Sequence, residues 1–234
     1  MRVGIAGYGV VGKKRYSSII KNTSFKVTDI SEVNPTARDE IPDGVNVFNN
    51  YQDLILKADL DIIFISLPNK YASDAVSLSL NKGLNVFCEK PPARTLDELL
   101  QVQKIYKKNP NLKLMYGFNH RFHLSVEEAK SIIDSKSYGE VINLRGVYGK
   151  SQMIDFNQTD WRTKRDESGG GILLDQGIHM LDLIRYLSGE NFSNVFSFIN
   201  NAFWNFDVED NAYVLMQSPK GVVAQLHSSA TQWR

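Results

Sequence analysis

The sequence predicts an α/β protein with two different halves: a doubly wound parallel sheet, followed by an α+β part with a mostly antiparallel, open sheet. Three observations lead to this prediction. The chain starts with a strand-like run that enters a glycine turn, "MRVGIAGYGVVG"; strand-like and helix-like segments then alternate; and after Asn119 strands separated by turn residues predominate. Alternating strands and helices are typical of a parallel sheet covered on both faces.

The first half contains short strand-like runs, namely "MRVGIA", "FKVTDI", "DIIFISL", "NVFCE" and "LKLMYGF". Apolar residues at helical spacing predict helices between them at residues 10–21, 71–82 and 96–108. Thr95, followed by Glu98 three residues later, predicts a capping box at the start of the last helix.

The second half has a different pattern. We predict a helix at residues 125–135, a strand in "EVINLRGVYG", a long polar loop and a helix within "GGGILLDQGIHML". Three further strand-like runs follow: "NVFSFI", "NAYVLMQS" and "VVAQLHSS". The change of pattern predicts two domains, residues 1–120 and 121–234.

Composition excludes several classes of protein. The 234 residues are 42% hydrophobic and carry a formal net charge of +1. This net charge is too small to attract nucleic acid or an anionic membrane. The apolar runs are too short to span a bilayer, and no apolar signal-peptide core follows Met1. With one cysteine, Cys88, neither an internal disulfide nor a cysteine-rich metal site can form, and we expect no metal. These features predict a cytoplasmic protein.

A glycine motif follows the first strand-like run. Gly7, Gly9 and Gly12 have G-x-G-x-x-G spacing between a strand and a helix, the context in which this motif binds a dinucleotide. Gly7 permits a tight turn, Gly9 lets the backbone approach a pyrophosphate, and Gly12 lets the helix pack on the strand. The helix N-terminus adds free N–H groups. We expect the cofactor at Gly7, Tyr8, Gly9, Val10, Val11 and Gly12; a glycine turn without a ligand is the alternative.

The ribose of a dinucleotide is bound by an acid about twenty residues beyond the motif. Glu32 has this spacing, whereas Asp29 comes slightly early and is expected only to cap its strand. A carboxylate there accepts a hydrogen bond from a 2′-hydroxyl and repels a 2′-phosphate, which favours NAD. Lys13, Lys14 and Arg15 are either solvated surface residues or phosphate ligands, so NADP remains possible.

The segment "VFCEKPPA" ends a strand with Glu89 and Lys90. Ligands of doubly wound sheets bind at the carboxyl ends of strands, so Lys90 is expected to point into that crevice. Two prolines restrict the backbone here, and an X-Pro bond can be cis. The alternative is a solvated surface lysine.

Asp175 and His179 stand four residues apart in "GGGILLDQGIHML". On an α-helix this spacing places them on one face, about one turn apart. Asp175 can then orient the imidazole while the ring exchanges a proton with a substrate hydroxyl. The glycines at 169–171 leave room for a ligand and permit unusual backbone conformations. A surface pair or a satisfied core histidine is the alternative.

Four sequence blocks occur in a specific order: the glycine motif, "EKP", "GFNHRF", and "WR" followed by "GGGILLDQGIHMLDL". With this combination the chain resembles the Gfo/Idh/MocA oxidoreductases over almost its whole length. The resemblance implies a Rossmann dinucleotide-binding domain, 1–120, and an α+β domain, 121–234, which binds substrate and whose open sheet forms homo-oligomers. It also implies hydride transfer between the nicotinamide of NAD or NADP and a hydroxyl-bearing carbon.

The resemblance further implies roles for individual residues. Lys90 matches the family lysine that hydrogen-bonds the reacting hydroxyl, while Asp175 and His179 match its acid and catalytic imidazole. The remaining cofactor contacts correspond to Leu67, Pro68, Asn69, Glu89 and Lys90. The remaining substrate contacts correspond to Asn119, Arg121, Trp161 and Arg162.

Two features depart from the family pattern. Many relatives have a histidine soon after the Pro68-Asn69 pair, where this chain has Lys70, Tyr71 and Ala72. This difference predicts altered contacts near the nicotinamide. Relatives also continue beyond "SSATQW", so we expect an incomplete second domain, either in a fragment or in a short chain whose exposed sheet edge needs a partner.

Together these features predict an NAD(P)-dependent dehydrogenase acting on CH–OH groups. By the same resemblance, the expected substrate is a sugar or nucleotide sugar of surface-carbohydrate biosynthesis. The cations Arg162, Lys164 and Arg165 are either solvated loop residues or ligands of a diphosphate. An inositol or other polyol is the alternative substrate, and a non-catalytic cofactor-sensing regulator is the alternative function. His120 and His123 have H-x-x-H spacing, but no third metal ligand is evident.

Overall fold

The computed structural model describes residues 1–152 and 160–232, with the backbone alone for Asp160. Its contacts divide the chain into two compact units, Met1–Gly117 and Phe118–Arg234. The two units have separate sheets with different strand directions.

Residues 1–117, all of them described, contain the strands β1 (Arg2–Ala6), β2 (Lys26–Ser31), β3 (Asn46–Phe48), β4 (Ile62–Ile65), β5 (Asn85–Cys88) and β6 (Leu114–Tyr116). These form a six-stranded sheet in the order β3-β2-β1-β4-β5-β6. All of its pairings are parallel, which confirms the predicted doubly wound sheet. The strand order reverses between β1 and β4, and this topology creates a ligand crevice at their carboxyl ends.

The helices of this unit are α1 (Val10–Ile19), α2 (Pro35–Arg38), α3 (Tyr51–Lys57), α4 (Asn69–Asn81) and α5 (Leu96–Lys108). One half of the predicted capping box of α5 is confirmed, since the Thr95 hydroxyl accepts the Glu98 N–H over 3.3 Å. The Glu98 carboxylate accepts the backbone N–H of Arg94 over 2.9 Å. Sequence analysis did not predict α2, β3 or α3. These elements have four, three and seven residues, too few for a clear hydrophobic period.

Helices cover both faces of this sheet. On one face Ile63 and Ile65 of β4 pack with Val76 of α4, and Cys88 is buried in the same cluster. On the other face Ile5 packs with residues that include Ile19 of α1. Burial of both faces explains why the central strands read as continuous apolar runs. It also confirms Cys88 as a buried small side chain.

The described part of the second unit contains the strands β7 (Asn143–Gly149), β8 (Asn194–Asn200), β9 (Asn211–Gln217) and β10 (Val223–Ser229). They form a sheet in the order β7-β10-β9-β8. The β10–β7 pairing is parallel and the other two are antiparallel, which confirms a mostly antiparallel sheet.

The helices of this part are α6 (Leu124–Ser135), α7 (Arg165–Ser168) and α8 (Ile178–Ser188). One face of the sheet, with Val214 and Leu226, packs against Ile184 of α8. On the opposite face Tyr213 and Leu215 of β9 are exposed, and the edge strand β8 is exposed on both of its faces. This second unit therefore has a core on one side of its sheet and solvent on the other.

The segment before α8 differs from the regular α-helix that the sequence predicts. Leu173–Gly177 forms a π-helical turn that carries Asp175, and His179 lies in the first turn of α8. At Gly177 the turn lies close to β10, since a Cβ there would lie 2.9 Å from the side chain of Ser228. The predicted regular α-helix is therefore corrected to a π turn that continues into α8, and a shared face for Asp175 and His179 stays a prediction. Such turns are frequent at functional sites.

Candidate active site

The glycine loop, residues 7–12, connects β1 to α1. Gly7 has a φ of 88°, and a Cβ there would lie 2.6 Å from the backbone oxygen of Ser66. A Cβ on Gly12 would lie 2.0 Å from the backbone oxygen of Gly7, whereas a Cβ on Gly9 would have no atom within 4 Å. The fold thus requires glycine at two positions, and the third borders open space. That space lies at the N-terminus of a ten-residue helix, where a pyrophosphate fits.

Glu32 follows β2 and is held against this loop. Its two carboxylate oxygens accept the backbone N–H of Tyr8 over 2.7 Å and that of Asn34 over 2.9 Å. Asp29 lies within β2 and accepts the side-chain amide of Asn46 over 3.0 Å. Glu32 therefore has the position expected of the ribose-binding acid, and Asp29 belongs to the sheet.

Arg15, in α1, is not a solvated surface residue. Its Nε donates to Glu89 Oε1 over 2.6 Å, and its guanidinium lies 4.9 Å from the centre of the Phe87 ring. Lys13 pairs instead with Glu40, at 2.5 Å. The surface interpretation of Arg15 was wrong because Glu89, an acid that follows β5 and is distant in sequence, pairs with it.

The predicted cofactor residues of the central strands lie at the carboxyl ends of β4 and β5. Asn69 is buried and begins α4, directly after Leu67 and Pro68. Glu89 and Lys90 follow β5, the neighbouring strand, and the Lys90–Pro91 bond is cis. Both segments therefore lie at the carboxyl ends of strands, beside the glycine loop that follows β1.

In the second unit, His179 is almost completely buried, with 5% of its surface exposed. Its ring stacks on that of His120, with centroids 4.1 Å apart and planes 12° apart. Phe118 meets the His179 ring edge-on at 6.2 Å, and Tyr148 of β7 lies 6.3 Å away. Sequence analysis missed His120 and Tyr148 as neighbours of the imidazole, because no motif links them to it.

Asp175 lies in a polar cluster at the π turn. The Gln176 side chain donates to Asp175 Oδ2 over 2.9 Å. The Lys150 Nζ and Arg162 Nε atoms each lie 3.8 Å from an oxygen of its carboxylate. The Arg162 guanidinium also lies 4.4 Å from the centre of the Trp161 ring. The structure thus brings together three predicted site residues, Asp175, Trp161 and Arg162, and adds Lys150, which no motif marked.

Arg121 contacts α8. Its guanidinium forms two hydrogen bonds with the Asp182 carboxylate, one of them over 2.7 Å, and lies 5.0 Å from the centre of the Tyr186 ring. The hydrogen bond and charge of Asp182 raise the pKa of Arg121. These contacts hold the 3₁₀ segment Asn119–Phe122 against α8. Asn119 is exposed in that segment, and substrate contact by either residue remains a prediction.

The glycines at 169–171 have structural roles. Gly169 ends α7 with a φ of 85°. A Cβ on Gly171 would lie 1.9 Å from the backbone oxygen of Glu209, which accepts the N–H of Ile172. The Glu209 side chain accepts the N–H of Leu173 over 3.2 Å. Close backbone packing, which sequence analysis did not anticipate, therefore explains Gly171 without a ligand.

Two family models match the chain. The oxidoreductase family model for an NAD-binding Rossmann fold matches residues 1–118, and the GFO/IDH/MocA C-terminal domain model matches residues 126–234. The chain belongs to the Gfo/Idh/MocA oxidoreductase family. Membership confirms the resemblance carried by the four sequence blocks and assigns the first sheet to an NAD-binding Rossmann fold.

Relatives within the Gfo/Idh/MocA family include oxidoreductases of known and unknown substrate. The uncharacterized oxidoreductase YrbE of Bacillus subtilis is 25% identical over 97% of this chain and 66% of its own length. Levoglucosan dehydrogenase of Pseudarthrobacter phenanthrenivorans is 29% identical over 81% of this chain and 52% of its own length. The chain thus spans about half to two-thirds of the length of these relatives.

Solved structures of Gfo/Idh/MocA enzymes are also similar. Scyllo-inositol dehydrogenase from Lactobacillus casei, crystallised with NAD(H) and scyllo-inositol, has a TM-score of 0.83 and 27% identity. The match covers 98% of this chain and 69% of that one. Over the described residues, no helix is long and apolar enough to cross a membrane. In the same part of the chain, no group of three or more His, Cys, Asp or Glu side chains could hold a metal ion.

Proposed function

We propose that the chain is an NAD-dependent dehydrogenase that transfers a hydride between nicotinamide and a hydroxyl-bearing carbon of a sugar or cyclic polyol. The observation that carries this proposal is the glycine loop with Glu32 against it. Gly9 borders open space at the N-terminus of α1, and the carboxylate lies beside the same loop. These are the two features that a dinucleotide needs, one for its pyrophosphate and one for its ribose.

Bound NAD supplies the hydride acceptor for oxidation. Within this chain, His179 is assigned to accept the proton of the reacting hydroxyl, as a general base. Lys90 is assigned to donate a hydrogen bond to the same oxygen and to stabilise its developing negative charge. Asp175, whose carboxylate lies near two cations, is assigned to orient the substrate or the imidazole.

The names of the relatives favour a free sugar or polyol as substrate. Levoglucosan and scyllo-inositol carry several ring hydroxyls and no nucleotide. The sequence-based hypothesis of a nucleotide sugar in surface-carbohydrate biosynthesis relied on Arg162, Lys164 and Arg165. Arg162 lies on Trp161 and near Asp175, and this position suits a cation that shapes the sugar pocket. A nucleotide-linked sugar is therefore the second substrate to test.

The direct test is reduction of NAD during incubation with a panel of inositols, free sugars and nucleotide sugars, followed by absorbance. We expect turnover with at least one ring polyol. His179→Ala should lower kcat by about two to four orders of magnitude while NADH binding, followed by fluorescence, is retained. Lys90→Ala should have a similar effect, and Lys107→Ala, at an exposed lysine in the last turn of α5, is the matched control.

The double variant tests whether both side chains act on one reaction. If they do, the combined loss is smaller than the product of the two single losses, because the residues act as a unit. Turnover that survives both single substitutions would overturn the assignment. Tight NADH binding without turnover of any substrate would instead support the alternative of a cofactor-sensing regulator.

We further propose that the chain self-associates through the open face of its second sheet. On that face Phe196 lies opposite Leu215 and Phe198 opposite Tyr213, and these four side chains are exposed. Contiguous exposed apolar side chains are typical of a protein interface. A second copy of this chain is the proposed partner.

A further inference from the structure

The stacked imidazoles of His120 and His179 are two titratable groups in direct contact. Their nearly parallel rings have centroids 4.1 Å apart. His179 lies in α8 and is buried, whereas His120, in the 3₁₀ segment, is half-buried. The pair thus consists of one ring inside the protein and one nearer to solvent.

Other titratable groups face this pair from every neighbouring element. His123, directly after this segment, lies 5.1 Å from His120, and Tyr148 of β7 lies 5.8 Å from it, measured between ring centroids. Burial and then the charge of Asp175, on the π turn, raise the pKa of Tyr148. Asp175 itself lies near the cations Lys150 and Arg162, and Arg121 is paired with Asp182. Among these described groups, His120 is the one whose ring stacks on His179 at van der Waals distance.

Two charged imidazoles at this separation repel each other, so protonation of one ring lowers the proton affinity of the other. Burial decides which ring takes the first proton. Loss of hydration disfavours the charged form, and this effect is larger for the buried His179 than for the half-buried His120. As the pH falls, the first proton therefore goes to His120.

We propose that His120 is a positioning residue whose stacked ring keeps the His179 imidazole neutral to a lower pH than it would reach alone. A neutral ring can accept a proton from a substrate hydroxyl. His120 thereby extends the pH range of the general base toward acid. The consequence for turnover rests on the proposed dehydrogenase function; the coupling between the two rings does not.

The coupling is measured without substrate, by NMR titration of the imidazoles in the whole chain. The chain contains four histidines, so single substitutions assign every signal. His120→Phe keeps an aromatic ring on His179 and removes the second titratable group. We expect the pKa of His179 to rise by about one unit, in line with the repulsion between two charges at this distance. His120→Gln, a smaller polar replacement, should cause a shift in the same direction.

His227→Phe is the matched control. His227 stacks on Tyr213 with the same centroid separation and interplanar angle, 4.1 Å and 12°, but its partner there is a phenol. This substitution should leave the titration of His179 unchanged. The proposal is overturned if both folded His120 variants leave the pKa of His179 where it was or lower it. It is also overturned if the control shifts this pKa by the same amount.

The pH dependence of kcat gives the functional measurement. In His120→Phe the acid limb should move to higher pH by the shift seen in NMR, with little change in KM at neutral pH. An NMR shift without a matching kinetic shift would overturn the catalytic part of the proposal. If no substrate is turned over, the dehydrogenase function fails, whereas the NMR titration still decides whether the rings are coupled.

Discussion

The backbone N–H of Tyr8 donates to the Glu32 carboxylate over 2.7 Å, so the acid that follows β2 is fastened to the glycine loop. Its other oxygen accepts the N–H of Asn34 over 2.9 Å. Both contacts are with backbone groups, which keep their place whatever side chains surround them. The loop that would receive a pyrophosphate is thus joined directly to the acid that would receive a ribose.

We expect Glu32→Gln to weaken NADH binding by about tenfold and to reduce discrimination against NADPH. The amide lacks the charge that strengthens hydrogen bonds from the ribose and that repels a 2′-phosphate. Fluorescence titration with both cofactors measures the two effects. Glu40→Gln, which removes an exposed carboxylate paired with Lys13 of α1, is the control. Equal losses in both variants would mean that overall charge, and not a ribose contact, causes the change.

Alanine substitutions at two glycines of the loop should have different effects on stability and on NADH binding. Gly12→Ala should lower the free energy of unfolding by about 2 kcal/mol or more, because the added Cβ would lie 2.0 Å from the backbone oxygen of Gly7. Gly9→Ala should leave stability unchanged, since a Cβ there would meet no atom within 4 Å, and should weaken NADH binding. Urea unfolding and cofactor titration separate the effects. Normal NADH affinity in Gly9→Ala would contradict a pyrophosphate at this position.

Asp210 should make stability depend on acid pH. Its buried carboxylate accepts the backbone N–H groups of Ala202, Phe203 and Trp204. Burial, the largest single effect, raises its pKa, but these hydrogen bonds together outweigh burial and hold the pKa below the ordinary 3.8. A carboxyl whose pKa falls on folding stabilises the native state above its unfolded pKa. That stabilisation is lost as the pH falls through the folded pKa.

We therefore expect Asp210→Asn to lower the free energy of unfolding by about 1 to 3 kcal/mol at neutral pH. The difference from the unsubstituted protein should shrink at a pH below 3.8. Urea unfolding at both pH values measures it. Asp134→Asn, at an exposed carboxylate paired with Lys130 on α6, should change little at either pH. A constant difference across pH would show that the charge of Asp210 is not what stabilises the fold.

Self-association can be tested at Phe198, which is 67% exposed in β8. Phe198→Glu should shift the mass measured by light scattering toward that of a single chain, because burying a charge in an apolar interface is costly. Tyr138→Glu, at a more exposed aromatic residue outside the sheet, should leave the mass unchanged. A single-chain mass for the unsubstituted protein would remove the proposal.

Local sequence patterns predicted much of the first unit. The G-x-G-x-x-G spacing, the position of Glu32 after β2 and the cap at Thr95 all depend on residues close together in the chain, and the structure has each of them. Local sequence patterns did not predict contacts between residues that are far apart in the chain. Arg15 pairs with Glu89, and Gly171 packs on Glu209, contacts that no local period can signal.

The residue pattern alone predicted the family and the alternation that makes a parallel sheet, and it indicated which residues would hold a dinucleotide. These follow from spacing along the backbone and from the conformations that glycine permits. The folded chain, in contrast, places Asp175 on a π turn near Lys150 and Arg162 and stacks His120 on His179. The physical reason is that packing brings together side chains from separate elements, and their charge and hydration depend on those neighbours.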